Sequence, residues 1–192
     1  MIELQKAISE IFNFTDQEFH DFQDFFQLKK IAKGEYFLKH GQYSKMLGIV
    51  KNGILREYIY IKDKEVTKWF STSGYFAVDL ASFYFNQTAT YNFQAITDVD
   101  IYIISQSDFA KIGQKIPRWN QIEKIFFAKC FNVLENRLIG HLSMTAEERY
   151  QQLFDLNPQL FNQVPLNHIA SMLGMSPETL SRIRKKISLE SS

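Results

Sequence analysis

Cysteine is almost absent from this chain: Cys130 stands alone among 192 residues. An internal disulfide is excluded, and so is an iron–sulfur cluster, which needs about four thiolates. No apolar run is long enough to cross a bilayer, and the N-terminus has no cationic flank leading into an apolar stretch. The cytoplasm is therefore the expected compartment. There is no internal repeat and no low-complexity segment. Charge of one sign is lacking too, because 22 Lys and Arg face 21 Asp and Glu for a net +1. The molecule is no polycation, and a case for nucleic acid must rest on local charge. Histidine is sparse and scattered. His40 falls in a turn with no histidine companion in the β-rich region, so a metal-dependent cupin-like enzyme lacks its ligand set. His141 lies near a hinge, and His20 and His168 are isolated in helical stretches, so structural or solvated roles fit better than haem ligation. No enzyme activity, metal or cofactor is expected.

What is present is ordinary globular material, with 45% hydrophobic and 22% charged residues, enriched in Phe at 18 copies. One large or two small domains are expected.

Residues 164–187 organise the chain. Ile169, Ala170 and Leu173 recur at helical spacing. Gly174 follows, where the chain must turn sharply and only glycine accepts φ > 0 freely. Ser176 then serves as N-cap and Pro177 as the first helical residue. Leu180 and Ile183 face inward, which leaves Glu178, Thr179, Ser181 and Arg182 outside. An ordinary αα-hairpin explains the apolar residues. It does not explain a small residue, Ala170, four before the turn, nor the polar start of the second helix. The spacing looks like a DNA-binding helix-turn-helix.

Upstream, Thr15 and Glu18 form a capping box within a helical, acidic stretch over residues 1–28. Phe19, Phe22, Phe25 and Phe26 make its packing face. Residues 29–109 carry short strand-like runs at 36–38, 47–50, 54–61, 66–70, 91–96 and 101–104. Lys33-Gly34, His40-Gly41, Asn52-Gly53, Lys62-Asp63-Lys64 and Ser73-Gly74 punctuate them, and Asn52-Gly53 reads as a hairpin turn. Such spacing means a β-sandwich or β-roll. A short helical piece at 106–112 precedes a long helix from Pro117 to about Leu142. That helix has two apolar stripes: Trp119, Ile122, Phe126, Cys130 and Val133, and Phe127, Phe131, Leu134, Leu138 and Leu142. One buried face needs only one stripe, so the second suits the same helix of another subunit. The alternative is a single helix in a deep intramolecular groove. Thr145 and Glu148 form a second capping box, which makes residues 140–144 a hinge.

This order of parts resembles the Crp/Fnr family of bacterial transcription regulators over nearly the whole chain. The most specific match is Gly174-Met175-Ser176-Pro177-Glu178-Thr179-Leu180-Ser181-Arg182; further marks are Lys33-Gly34-Glu35, Gly41, Gly53 and Gly74-Tyr75-Phe76. The resemblance implies an α+β fold. Residues 1–116 would hold N-terminal helices and a cyclic-nucleotide-binding-like β-roll (a double-stranded β-helix), 117–143 a dimerisation helix and hinge, and 144–192 a winged-helix-type helix-turn-helix. It also implies double-stranded DNA as partner, a homodimer through residues 117–142, and RNA polymerase as a further partner. Glu178, Ser181 and Arg182 would read base edges. A guanidinium bonds G O6 and N7 together, and a carboxylate accepts from cytosine N4. Ser176 and Thr179 suit phosphate, with Arg184, Lys185 and Lys186 adding salt-dependent attraction.

The chain departs from the family in its nucleotide cassette. Val78 and Asp79 stand at the positions of the family's glycine and glutamate, and Ala89 and Thr90 at those of its arginine and hydroxyl residue. Without the arginine the charge-assisted phosphate contact is gone, and valine adds a Cβ where the backbone should approach the ligand. Tight binding of cyclic AMP is not expected. Phe83, Tyr84, Phe85, Tyr91 and Phe93 would either line a less polar pocket or fill it. The leading function is a dimeric transcription regulator whose effector is unknown. The alternative is a cyclic-nucleotide or other small-ligand binding module acting through protein contacts, with a vestigial helix-turn-helix.

Overall fold

The structure, a computed structural model, describes residue 8 and residues 11–190. The helical reading of residues 1–7, 9 and 10 lies outside the described residues. The chain divides into two compact units, one of residues 1–57 with 70–131 and the other of 58–69 with 132–192. The division is not linear in sequence, because a β-hairpin from the first half falls within the C-terminal unit.

In the first unit, Thr15 caps helix α1 (Asp16–Gln23), its hydroxyl accepting from Glu18 N–H while Glu18 returns a bond to Thr15 N–H at 2.8 Å. The helix stops there, earlier than the expected residue 28. Residues Gln27–Ile31 form strand β1 instead, pairing antiparallel with the last strand, Leu28 opposite Tyr102. Strands β2 (Tyr36–Leu38), β3 (Met46–Asn52), β4 (Leu55–Ile61), β5 (Lys64–Ser71), β6 (Phe76–Ala77), β7 (Asn92–Ala95) and β8 (Val99–Ser105) follow, with helix α2 (Leu80–Phe85) between β6 and β7. They build two four-stranded sheets in the orders β1-β8-β3-β6 and β2-β7-β4-β5, which is the expected β-roll. Val50, Leu55, Phe93 and Ile101 lie in the same buried cluster.

Asn52-Gly53 is not a hairpin turn. Strands β3 and β4 belong to different sheets, so the pair is the corner where the chain crosses between them. Gly53 has φ of 90°, and a Cβ there would run into the carbonyl of Asp98. The true two-residue hairpin lies next along the chain. Lys62 and Asp63 both have positive φ, 48° and 62°, which is the mirror-image turn that matches strand twist. It joins β4 to β5.

Short helices α3 (Gln106–Phe109) and α4 (Ile112–Lys115) lead into the long helix α5 (Trp119–Ser143). It starts two residues after Pro117, within the expected span. Its first apolar stripe is anchored in a second core: Trp119 and Ile122 are buried beside Phe12, Phe22 and Phe83, with Phe126 packed against them. Its second stripe is uncovered, with Phe131 63% and Leu142 75% exposed.

The C-terminal unit continues with α6 (Ala146–Leu156), α7 (Leu160–Gln163), α8 (Leu166–Met172) and α9 (Pro177–Glu190). Thr145 and Glu148 make the expected capping box on α6. Helices α8 and α9 are the two helices expected on either side of Gly174, and among the described residues after Ser143 there is no strand. The stretch before α8 coils into α7 because Leu160 and Phe161 are drawn into the core, Phe161 packing against Tyr150 and Phe154.

Candidate nucleic-acid interface and effector pocket

Helices α8 and α9 meet through Ile169, Ala170, Leu173, Leu180 and Ile183, all buried. The turn between them needs its glycine for its backbone: Gly174 has φ of 67°, while a Cβ there would make only ordinary contact with the His141 ring, at 3.6 Å. Ser176 Oγ accepts the N–H of Thr179 at 3.2 Å and so caps α9. Part of the hydroxyl's capacity is thus committed to the helix it was expected to lend to phosphate. With Leu180 and Ile183 sealed inside, Glu178, Ser181 and Arg182 are exposed. The nearby Ser176 hydroxyl holds the Glu178 carboxyl below the ordinary carboxylate range, so it stays an acceptor near neutrality.

The cations behind them differ. Arg182, Lys185, Lys186 and Leu189 border one shallow surface groove, at the spacing of one helix face. Arg184 is half-buried and not part of it. Lys186 is engaged by Glu147 of α6 at 2.8 and 3.0 Å.

Two arginines that sequence reasoning did not single out hold the end of α8. Arg137 donates to the Met172 carbonyl at 3.3 Å, and Arg149 donates to the Leu173 carbonyl at 3.0 Å and to Met144 at 2.7 Å. The last carbonyls of a helix have no intrahelical partner, and basic side chains satisfy them. His141 feels the charge of both guanidiniums. Partial burial first, and then both arginines, push its imidazole below the ordinary histidine range.

The residues expected around an effector are bonded to one another or packed in the cores. Asp79 is 3% exposed. Its carboxylate caps α2, accepting from Ser82 N–H at 3.0 Å. It also accepts from Thr90 N–H at 2.8 Å and Tyr91 N–H at 3.2 Å. Asp79 and Thr90 are thus brought together, as part of the protein's own hydrogen bonding. Ala89 is fully buried in the core between the sheets, whereas Val78 packs half-buried against the other cluster. The five aromatic residues do not line one pocket. Because residues 80–85 coil into α2, Phe83 points into one core while Tyr84 and Phe85 face outward, and Phe93 sits in the other core. Tyr84 donates its hydroxyl to Glu123 at 3.1 Å; burial first, then Glu123, push its phenol well above the usual range. An aspartate just before an apolar helical run is an N-cap signal, and it could have identified Asp79 as structural.

Residues 28–115 match the family described as cyclic nucleotide-binding domain. The fold is similar to that of FixK2 from Bradyrhizobium japonicum, with a TM-score of 0.70 at 18% identity, covering 86% of each chain. It is similar also to the c-di-GMP responsive global regulator CLP of Xanthomonas campestris, with a TM-score of 0.69 at 16% identity, covering 91% of this chain and 92% of that one. Residues 28–115 are thus similar to a cyclic nucleotide-binding domain, and the chain has a Crp/Fnr-type fold. A CooA mutant from Carboxydothermus hydrogenoformans shares that fold as well, with a TM-score of 0.67 at 18% identity over 94% of this chain and 84% of that one. At such identities the likeness is one of fold. No curated protein matches the chain in sequence. Among the described residues of this Crp/Fnr-type fold, no helix is long and apolar enough to cross a membrane, and no group of three or more His, Cys, Asp or Glu could hold a metal ion.

Proposed function

We propose that the chain is a sequence-specific DNA-binding transcription regulator of the Crp/Fnr type. It acts in the cytoplasm as a homodimer on a two-fold symmetric operator, and it is no enzyme. Its functional parts are residues 1–116 as a sensor-like domain, 117–143 as the dimerisation helix and hinge, and 144–192 as the DNA-binding part. The observation that carries the reading is the exposed row Glu178, Ser181 and Arg182 on α9, held outward by buried Leu180 and Ile183. Ser176, Thr179, Arg184 and Lys185 supply phosphate contacts. Lys186 joins them by exchanging Glu147 for phosphate. Two α5 helices pair along their second apolar stripe, which presents the two α9 helices to major grooves about one helical turn apart. RNA polymerase is the expected further protein partner.

The effector is not cyclic AMP. The amides of Thr90 and Tyr91 are bonded to Asp79, and Ala89 offers no cation. A small-ligand module acting through protein contacts is the second reading, favoured by the family match over residues 28–115. Selection of bound fragments from a random DNA pool by the purified protein separates the two. Enriched palindromic half-sites about one turn apart support the regulator, and a pool that stays random refutes it.

A further inference from the structure

The helix-turn-helix has no strand of its own among the described residues, yet α8 is braced by one. The β4–β5 hairpin belongs to the same compact unit and meets α8 from about a hundred positions earlier in the chain. Ser171 Oγ accepts the N–H of Thr67 at 2.9 Å and donates to the carbonyl of Glu65 at 3.1 Å. These two backbone groups lie two residues apart, on one edge of β5, which is the outer strand of its sheet. Edge strands turn a row of backbone donors and acceptors away from the ladder, and one hydroxyl can serve both kinds at once. Arg137 continues the join. Its guanidinium donates to the Lys68 carbonyl of β5 and to the Met172 carbonyl that ends α8. The same guanidinium lies over the Trp69 ring, 5.2 Å from its centroid, within cation–π range. Thr67, at the middle of this join, is 2% exposed.

We propose that Ser171 and Arg137 are positioning residues for DNA reading. They fasten α8, and through the α8–α9 core the recognition helix, to the β4–β5 hairpin. That hairpin braces this helix-turn-helix as a wing braces a winged helix. The physical reason is the difference between the two kinds of DNA contact. Base edges are read only when α9 lies at one angle in the groove, whereas phosphate attraction depends mainly on charge and tolerates tilt. Loosening α8 therefore costs discrimination and leaves general attraction in place. The role in DNA reading rests on the proposed function; the fastening itself does not.

Two measurements on the full chain separate them. Hydrogen exchange of the Thr67 amide reports the fastening. The wild type is expected to protect it, and Ser171→Ala to speed its exchange at least tenfold. Equal rates in the two proteins overturn the fastening, whatever happens with DNA. Affinity for a selected operator and for random DNA reports the reading role. Ser171→Ala and Arg137→Met are each expected to lose about tenfold on the operator, the size of one mismatched base pair. Random-DNA affinity and its salt slope should stay unchanged, and Ser171→Thr should restore operator binding. Equal losses on both DNAs, or no loss on the operator, overturn the positioning role. A wild type with no sequence preference refutes the DNA reading and the role built on it, while the exchange rates still decide the fastening. Both side chains are only half-buried, so the variants should fold.

Discussion

The carboxylate of Asp79 holds the backbone N–H of Thr90 at 2.8 Å. One buried side chain thereby joins the start of α2 to the segment entering β7, across the place where a nucleotide phosphate would be sought.

A calorimetric titration with cyclic AMP should therefore show no sub-micromolar binding. Asp79→Ala should destabilise the fold by about 2 kcal/mol, because three N–H groups, one buried and two partly buried, lose their acceptor. Denaturant unfolding of the two proteins measures the difference, and an unchanged midpoint would contradict the structural role.

Arg182→Ala should weaken binding to the selected operator by about 1–3 kcal/mol, with a smaller effect on random DNA. Fluorescence anisotropy on both DNAs at one salt concentration makes the comparison. Equal losses would move Arg182 from base reading to phosphate attraction.

The exposed stripe of α5 predicts a sharp response to charge. Leu134 and Leu138 are 54% and 59% exposed in the isolated chain. Sedimentation should show the wild type as a dimer. Leu134→Asp with Leu138→Asp should be a folded monomer with weakened operator binding. A monomeric wild type at working concentration would remove the paired-helix mechanism.

Glu18 gives a pH signature. Arg118 donates to its two oxygens at 2.5 and 2.6 Å, and this pairing lowers the Glu18 carboxyl from 4.5 to about 2. A folded-state pKa below the unfolded value adds stability that is fully present above 4.5 and lost as pH falls toward 2. The Arg118 side chain is 41% exposed, so solvent screening limits the gain to about 1 kcal/mol. Thermal melts of Arg118→Met and wild type should differ near neutral pH and converge in acid. A constant gap across that range would show that the lost stability is not the ion pair.

Much of the architecture was legible from residues close together in the chain. Thr15 with Glu18 and Thr145 with Glu148 form the capping boxes their spacing announces. Most strands lie where β-branched runs alternate. Two did not announce themselves. β1, with the sequence Gln27 to Ile31, is exposed at four of its five positions, so no buried alternation marks it. β6 is two residues long. Asn52-Gly53 misled because a tight turn does not say whether the strands it joins will pair.

For the helix-turn-helix, the sequence by itself determined nearly everything local. Gly174, Ser176 and Pro177 act through backbone preferences that reach only a few residues, and the spacing of Ile169, Leu173, Leu180 and Ile183 selects the buried face. Tertiary structure alone decided what those helices lean on. Ser171 bonds backbone groups 104 and 106 positions away, and Asp79 bonds amides 11 and 12 positions on. A hydroxyl or a carboxylate can satisfy many partners, and its residue type does not say which. The choice is made only when folding brings an edge strand or a pair of backbone amides within 3 Å or so of it.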